Sequence, residues 1–358
     1  MSIKHEYLRK VLSKNFKSIN PEEMTKEVIE SVDADMKGID DYFDEDGNIA
    51  SEYEKTPNLN SIIQEKLERS RKRKDETLGF KLNTFKQIEK DLEGLQSGLD
   101  LVGGQANTGK TAFIVNLFLD VIRSNDDAYG LYFSLDDSKR IILSRMVASI
   151  AKRPINWVDR VGSLKEPEDI KRLKDAYKSI LDLAENRFNL WDITDAVAIS
   201  KIKGLIDKTL KDHPKKKLVL AIDGLHNLDT EQGVDSLRMD NINRANLIKQ
   251  LVDTYGVPIL STVELRKPTR TKTKDEPTLH DINETGKFAY NANVVFILSN
   301  PDESQLENEC LDKPISIDLH YAKNKLSHIR SKREIQFTRA FSYMDENKDT
   351  EDDNELIY

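Results

Sequence analysis

Residues 104–111 constrain the fold of this chain more than any other segment. They read GQANTGKT and fit the pattern G-x-x-x-x-G-K-[ST]. The apolar run 99–103 before them predicts a short buried strand, and the apolar run 112–119 after them predicts a helix. Glycines let the backbone curl so that successive N–H groups face phosphate oxygens, and the helix N-terminus adds a positive dipole end. A strand, this loop and a helix in that order predict a site for a nucleoside triphosphate.

The loop combines a backbone cradle with two side chains that have separate tasks. Lys110 is expected to reach the β- and γ-phosphates, and the Thr111 hydroxyl is expected to hold Mg²⁺. A chance match in a glycine-containing turn is the alternative, and the flanking strand and helix argue against it. We therefore expect nucleotide contacts from Gly104, Gln105, Ala106, Asn107, Thr108, Gly109, Lys110, Thr111 and Ala112.

Composition limits the classes of protein to which the chain can belong. A net charge of −8 argues against a general basic coat for nucleic acid, so any polyanion site must be a local basic surface. The single cysteine, Cys310, excludes an intramolecular disulfide framework, and the six histidines lack zinc-binding spacing. The sequence shows no signal peptide and no apolar run that would span a bilayer, which predicts a cytoplasmic protein without a membrane partner.

Charge and hydrophobic pattern divide the chain into four segments. Residues 1–56 are polar and mostly helical in pattern, and residues 57–77 hold an amphipathic helix with a basic C-terminal end. That helix either docks on a neighbouring subunit or covers its own domain, because its spacing fits both. Residues 78–344 form the core, and residues 345–358 form an acidic tail of a kind that is usually disordered. The tail either solvates the protein or offers acids and a terminal aromatic residue to a basic partner.

Strand and helix patterns alternate through the core. This alternation predicts an α/β fold with a mostly parallel sheet flanked by helices. The strand patterns at 294–299, 315–321 and 334–338 have no helical pattern between them, so we expect them to extend the sheet as an antiparallel edge. The most apolar strand, 217–223, ends in Asp223. Because a phosphate loop needs a second acid for its metal, Asp223 is the predicted partner of Thr111 in holding Mg²⁺.

Six segments of the core, in order, resemble those of one family. They are Gly79-Phe80 with the later LEGLQSG, FSLDDS from 133, AIDGLHNL from 221, VPI and VELRK within 257–267, LHDINETG from 279 and AKNK from 322. In these segments the chain resembles the replicative hexameric DNA helicases of the DnaB type, in particular their C-terminal RecA-like ATPase domain. The resemblance covers about residues 58–345, and phage-encoded members with a reduced N-terminal region are similar in layout.

The resemblance implies a fold, a reaction and an assembly. The fold is a RecA-like P-loop NTPase core, preceded by a small helical N-terminal region, and the ligands are ATP and Mg²⁺. The implied function is an ATP-dependent ring helicase, a homohexamer that translocates on single-stranded DNA during DNA replication. Residues 57–77 match the linker helix of the family, and the acidic tail becomes a candidate contact for a replication partner. For a phage gene the compartment is the host cytoplasm.

The resemblance also implies catalytic tasks for Lys110, Asp136, Glu264, Lys323 and Lys325. Asp136 stands where the family has the glutamate that orients the attacking water, and it is one methylene shorter. Glu264 stands in place of a glutamine sensor. Lys325 stands in place of the arginine finger that completes the site of the next subunit, and lysine keeps the charge without the planar fork. The alternative for the segment after Ser134 is structural, with Asp136, Asp137 or Ser138 capping the following helix.

Two segments are candidates for contact with single-stranded DNA. A Pro- and Thr-rich loop carries Arg266, Lys267, Arg270, Lys272 and Lys274, and without the resemblance it would be an ordinary solvated basic loop. The segment of Asn283, Glu284, Thr285 and Gly286 matches the family segment whose backbone grips strand phosphates.

Two other functions fit the same residues. The departures at Asp136, Glu264 and Lys325 are compatible with a degenerate paralogue that binds nucleotide and acts as a loader or regulator. A RecA- or KaiC-like recombination or regulatory ATPase is the third possibility, and the lead-in 79–98 and the segment 281–286 argue against it.

Overall fold

The computed structural model describes Ile63 and residues 77–346, with gaps at 196, 232–235, 267–277, 283–285 and 301–310. The chain divides into two compact units, Met1–Glu76 and Thr77–Tyr358, and the fold described below is that of the second. The predictions for the segment 1–56, for the linker helix beyond Ile63 and for the tail beyond residue 346 fall outside the described residues.

The described part of the second unit contains eight α-helices and nine strands, with short 3-10 helices between them. The helices are α1 (Lys86–Leu92), α2 (Lys110–Ser124), α3 (Lys139–Ala151), α4 (Ile155–Val158), α5 (Pro167–Asn186), α6 (Ile199–Asp212), α7 (Leu237–Tyr255) and α8 (Gly286–Asn291). The strands are β1 (Gly98–Gly104), β2 (Ala128–Ser134), β3 (Phe188–Asp192), β4 (Lys217–Asp223), β5 (Pro258–Glu264), β6 (Val294–Ser299), β7 (Ile315–Asn324), β8 (Lys332–Thr338) and β9 (Tyr343–Glu346).

All nine strands belong to one sheet, in the order β3-β2-β4-β5-β1-β6-β7-β8-β9. Strands β1 to β6 are parallel to their neighbours, and pairing becomes antiparallel from β7 onward. The sequence prediction was therefore correct for β7 and β8 and wrong for β6, which runs parallel to β1. In the sheet β1 lies between β5 and β6, which are parallel to each other, and the stretch that includes the short helix α8 is the crossover that joins β5 to β6.

Strand β9 corrects the predicted start of the acidic tail. Asp345 and Glu346, assigned to that tail from the sequence, are the last two residues of β9 and pair with β8. The Glu346 carboxylate accepts the backbone N–H groups of Gln87 at 2.7 Å and Ile88 at 2.9 Å. A carboxylate that caps the first turn of α1 thus attaches the C-terminal strand to the start of the core.

Helices cover both faces of the sheet, which gives the two apolar clusters expected of such a fold. One cluster lies between the sheet and helices α1, α2, α3 and α5. At its centre Phe113 of α2 meets Phe85 and Phe296 edge to face, with ring centroids 5.5 and 5.9 Å apart. The other cluster lies between the sheet and α6, α7 and α8. None of the described helices is long and apolar enough to cross a membrane.

Candidate nucleotide and metal site

The candidate site lies where the parallel strands end. Gly104 at the end of β1 is the register partner of Glu264 at the end of β5. Ser134 at the end of β2 is the partner of Asp223 at the end of β4, and the Leu135 N–H donates to the Asp223 carbonyl at 2.8 Å. Because carboxyl ends of parallel strands share one edge, the sheet brings the phosphate loop and the three predicted acids together. The third of these, Asp136, follows β2 by two residues.

The phosphate loop has a left-handed backbone at two positions. Asn107 and Gly109 have φ angles of 65° and 97°, a conformation that turns successive N–H groups toward one concave side. A side chain at position 109 would clash with β9, because its Cβ would lie 2.5 Å from Met344 Cε. Thr108 Oγ1 donates to the Gln105 carbonyl at 2.8 Å and closes the turn. Glycine and local hydrogen bonds therefore define the shape of the loop.

Lys110, the first residue of α2, folds back over this loop. Its ammonium group donates to the carbonyls of Gly104 and Gln105, both at 3.0 Å. Burial lowers the pKa of Lys110, and the carboxylates of Glu264, Asp223 and Asp136, in decreasing order, oppose that shift. The ammonium group thus lies within the electrostatic reach of all three acids at the strand ends.

Asp223 is the buried acid of the site. Its carboxyl is 1% exposed, accepts from the Thr262 hydroxyl at 2.8 Å and lies 3.4 Å from the Tyr132 hydroxyl. Burial raises the pKa of Asp223, and hydrogen bonds from the Thr262 and Thr111 hydroxyls oppose that rise. A desolvated carboxyl in contact with the Thr111 hydroxyl is a donor set that fits a hard cation such as Mg²⁺. These are the two residues that the sequence predicted for the metal.

Asp136 is exposed, and its carboxylate contacts two residues of the segment that follows β4. The Asn227 amide donates to Asp136 Oδ1, and His226 Nε2 lies 3.5 Å from the same oxygen. Asn227 and His226 belong to the short 3-10 helix Leu225–Asn227 that follows β4. Both residues belong to the family-like segment AIDGLHNL from 221, for which only Asp223 was predicted to have a task. Their positions, three and four residues past a strand that ends in the metal acid, are the signal that would have identified them.

The capping alternative for this segment is wrong. Ser138 occupies the N-cap position of α3 but its side chain makes no capping hydrogen bond. Instead the Lys139 N–H donates to Asp192 Oδ2 of β3 at 2.7 Å. Asp137 lies 3.5 Å from the Arg145 guanidinium, so its carboxylate is paired along the helix. The Asp136 carboxylate is thereby left for the nucleotide edge.

Lys323 and Lys325 lie at the opposite edge of the sheet from the phosphate loop of their own chain. Lys323, near the end of β7, is the register partner of Val295 at the start of β6, and the Lys325 N–H donates to the Asn293 carbonyl at 2.9 Å. The loop adjoins the other end of β6, since Gly104 pairs with Leu298. A strand rises about 3.3 Å per residue, so the two sites are on the order of 15 Å apart.

The two lysines share the carbonyl group of Tyr290 at the end of α8. The Lys323 ammonium group donates to the carbonyls of Ala289 and Tyr290, and the Lys325 ammonium group donates to the Tyr290 carbonyl at 3.2 Å. Burial, and then the charge of Lys325, lower the pKa of Lys323 to about 8. The pair is thus a compact cationic group on a surface remote from the phosphate loop of the same chain.

The described residues that flank the two predicted DNA segments lie next to each other. Leu265, directly after β5, forms an isolated antiparallel bridge with Ile282, and the Arg266 N–H donates to the Asp281 carbonyl at 2.6 Å. Arg266 is exposed at the start of the basic loop, and Gly286 is the first residue of α8. The other members of the two predicted sets lie outside the described residues, and they are Lys267, Arg270, Lys272, Lys274, Asn283, Glu284 and Thr285.

The chain is similar to a known protein family and to known proteins. A family model described as the DnaB-like helicase C terminal domain matches residues 82–346. A "Probable replicative DNA helicase" of Trieres chinensis is 24% identical over 266 residues, which cover 73% of this chain and 56% of that protein. The chain spans about half the length of the curated relatives it matches.

Two solved structures share the fold. One, described as an ATPase domain, superposes with a TM-score of 0.71 at 17% identity, covering 82% of this chain and 99% of that one. The other, the structure of a DnaB-like replicative helicase and its interactions with primase, gives a TM-score of 0.67 at 16% identity, covering 95% and 74%. These likenesses confirm the predicted RecA-like α/β fold with a mostly parallel sheet.

Proposed function

The chain belongs to the family of DnaB-like helicase C-terminal domains, and from this premise we propose that it is the ATP-driven motor of a replicative DNA helicase. The observation that carries the proposal is the division of the site between two edges of the sheet. The phosphate loop and its acids lie at one edge, and the Lys323–Lys325 pair lies at the other. A ring of identical subunits, in which the lysine edge of one faces the loop edge of the next, unites the two halves.

The residues at the loop edge have distinct tasks in ATP hydrolysis. The backbone of residues 104–112 cradles the phosphates, and the Lys110 ammonium group leaves its two carbonyl partners for phosphate oxygens. Thr111 and Asp223 would hold Mg²⁺, which when bound neutralises phosphate charge. Asp136 accepts a hydrogen bond from the attacking water and orients it. Glu264, next to Gly104, senses the terminal phosphate through its proximity to Lys110.

The assembly and the DNA contacts complete the proposal. In a homohexamer, Lys323 and Lys325 of one subunit stabilise the charge that develops on the triphosphate of the next. Arg266, Lys267 and Arg270, with the segment 283–286, line the channel and hold single-stranded DNA through its backbone, so affinity falls steeply with salt. The acidic tail contacts a replication partner, and the protein works in the cytoplasm.

The proposal is tested by DNA-stimulated ATP hydrolysis. The wild-type chain should hydrolyse ATP, and single-stranded DNA should raise the rate. Lys110→Ala should lower the rate by at least about 100-fold, since it removes the cation at the transferred phosphoryl group. Lys174→Ala, on the exposed surface of α5, is the matched control and should leave the rate unchanged. A wild-type chain without ATPase activity on any polynucleotide would rule the motor out.

A nucleotide-binding regulator is the second candidate, and the residue types at positions 136 and 264 favour it. Asp136 is one methylene shorter than glutamate, and the Glu264 carboxylate adds negative charge next to Lys110. Slow hydrolysis by the wild type, together with strong hydrolysis by Asp136→Glu, would support this regulator. An active wild type, with equal or lower activity in Asp136→Glu, would favour the motor.

A further inference from the structure

We infer that Asn227, assisted by His226, is a positioning residue that fixes the Asp136 carboxylate for its task with the attacking water. The inference rests on the proposed function, because it presupposes that Asp136 acts in ATP hydrolysis. It goes beyond that function by naming the residues that hold the Asp136 carboxylate, which belong to the 3-10 helix after β4.

The Asn227 amide contacts two parts of the segment that carries the acid. Its Nδ2 group donates one hydrogen bond to Asp136 Oδ1 and another to the backbone carbonyl of Leu135 at 3.2 Å. Both amide protons are therefore used, and they fix the carboxylate relative to its own backbone. The contact falls on Oδ1, so the amide leaves Oδ2 for a water molecule.

Such support matters because the Asp136 side chain is otherwise in solvent. It is 43% exposed, and an exposed carboxylate samples several rotamers unless its neighbours select one. Holding a reactive group in one orientation contributes to the rate through proximity and alignment, with little effect on substrate binding. His226 Nε2, 3.5 Å from Oδ1, limits rotation from a second direction.

Gly224 provides the space in which this arrangement forms. A Cβ at this position would lie 2.6 Å from Asp136 Cγ and 2.7 Å from both carboxylate oxygens. The residue also has a φ of 88°, in the left-handed region. The chain therefore turns tightly around the acid, and a side chain at position 224 would displace the Asp136 carboxylate.

The turn is itself attached to the predicted metal acid. The Gly224 N–H donates to Thr262 Oγ1 at 2.7 Å, and Thr262 Oγ1 donates to Asp223 Oδ1 at 2.8 Å. At the other end, Arg244 Nε donates to the Leu228 carbonyl at 2.7 Å. Asn227 thus sits on a fixed support that relates the position of Asp136 to that of Asp223.

The experiment measures steady-state ATPase kinetics and unfolding temperature for Asn227→Ala, Asp136→Asn and the double variant. Asn227→Ala should lower kcat about tenfold with an unchanged KM for ATP and an unchanged unfolding temperature. In the Asp136→Asn background, assayed at high enzyme concentration, Asn227→Ala should have no further effect, because the group it positions is gone. Asn186→Ala at the exposed end of α5 is the matched control.

The outcomes separate this inference from the proposed function. An active wild type with normal kcat in Asn227→Ala overturns the positioning role alone. A raised KM, a lowered unfolding temperature, or an equal loss of kcat in the Asp136→Asn background assigns Asn227 a structural role and also overturns it. An inactive wild type overturns both proposals. His226→Gln, which retains a donor, should keep kcat within about twofold of wild type, and His226→Ala should lower it by more.

Discussion

At the scale of single residues, Asp100 is the most unusual acid outside the candidate site. It lies in the middle of β1 with no solvent exposure, between Leu260 and Val294 of the neighbouring strands. Burial raises its pKa to about 8, and the backbone of Val294 offsets the rise only in part. The folded protein therefore holds Asp100 as a neutral acid at neutral pH, which is how a carboxyl is tolerated in an apolar sheet.

The elevated pKa of Asp100 predicts a pH-dependent stability. Between about pH 4 and pH 8 the unfolded chain releases this proton and the folded chain keeps it, so the free energy of unfolding falls as pH rises. Asp100→Asn replaces the titratable carboxyl with an amide. The decrease in the free energy of unfolding between pH 5 and pH 8 should therefore be smaller in this variant than in the wild type, by about 1–4 kcal/mol. Urea unfolding of both proteins at the two pH values measures it.

Asp182→Asn, on the exposed surface of α5, is the control for the Asp100 experiment. It should show the same pH dependence as the wild type. A parallel pH dependence of wild type and Asp100→Asn would mean that the Asp100 proton does not contribute to stability.

At the scale of elements, helix α3 shows how a helix start can depend on a distant strand. Asp192 at the end of β3 accepts the Lys139 N–H at 2.7 Å, and it also accepts the Thr194 N–H at 3.0 Å and the Thr194 hydroxyl at 2.5 Å. These bonds, with that of Lys139 the largest, lower the pKa of Asp192. The ionised side chain therefore performs the capping task that a residue of the helix itself usually has.

Removing this cap should destabilise the protein in a pH-dependent way. Asp192→Ala should cost about 1–2 kcal/mol at pH 7. Because the folded pKa of Asp192 is lowered, its contribution is complete above the unfolded pKa of about 4 and is lost as pH falls below it. Ser138→Ala, at the N-cap position itself, should cost less than about 0.5 kcal/mol. Thermal unfolding at pH 7 and pH 3 tests both, and a larger loss for Ser138→Ala would contradict the assignment.

The sequence predicted well those elements whose position depends only on residues within the same segment. Strands β4 and β6 have the predicted bounds, because the apolar run and its flanking polar residues define each strand within the segment itself. The predicted phosphate loop directly follows β1, and the predicted metal acid Asp223 is the last residue of β4, so both predictions also rest on local signals at strand ends. Parallel strands then bring those ends together without further information.

The elements that the sequence missed depend on partners distant in the chain. The cap of α3 comes from Asp192, 53 residues beyond Lys139. Strand β9 forms only because β8 offers it an edge, and its acidic residues had indicated a tail. The support of Asp136 by Asn227 crosses 91 residues and depends on the missing side chain of Gly224. Such contacts follow from the packed fold and leave no periodic pattern in the sequence.

At the scale of the whole molecule, the antiparallel turn of the sheet separates the two halves of the proposed site. Strand β7 reverses direction beside β6 and carries Lys323 back to the edge opposite the phosphate loop. Within one chain, Lys325 is therefore too far from the loop to touch a phosphate held by Lys110. Hydrolysis that requires both residues must take them from different subunits.

This separation predicts that two inactive variants restore each other. Lys110→Ala lacks the loop cation and Lys325→Ala lacks the cation offered to the neighbour, so each should be strongly impaired in ATP hydrolysis by itself. In rings assembled from equal amounts of both, about a quarter of the interfaces pair an intact loop with an intact lysine. The mixture, co-expressed so that subunits assemble together, should recover about a quarter of the wild-type rate.

A double variant carrying both changes, mixed with either single variant, forms no intact interface and should recover nothing. Recovery in that control, or none in the first mixture, would place Lys325 outside the neighbouring site.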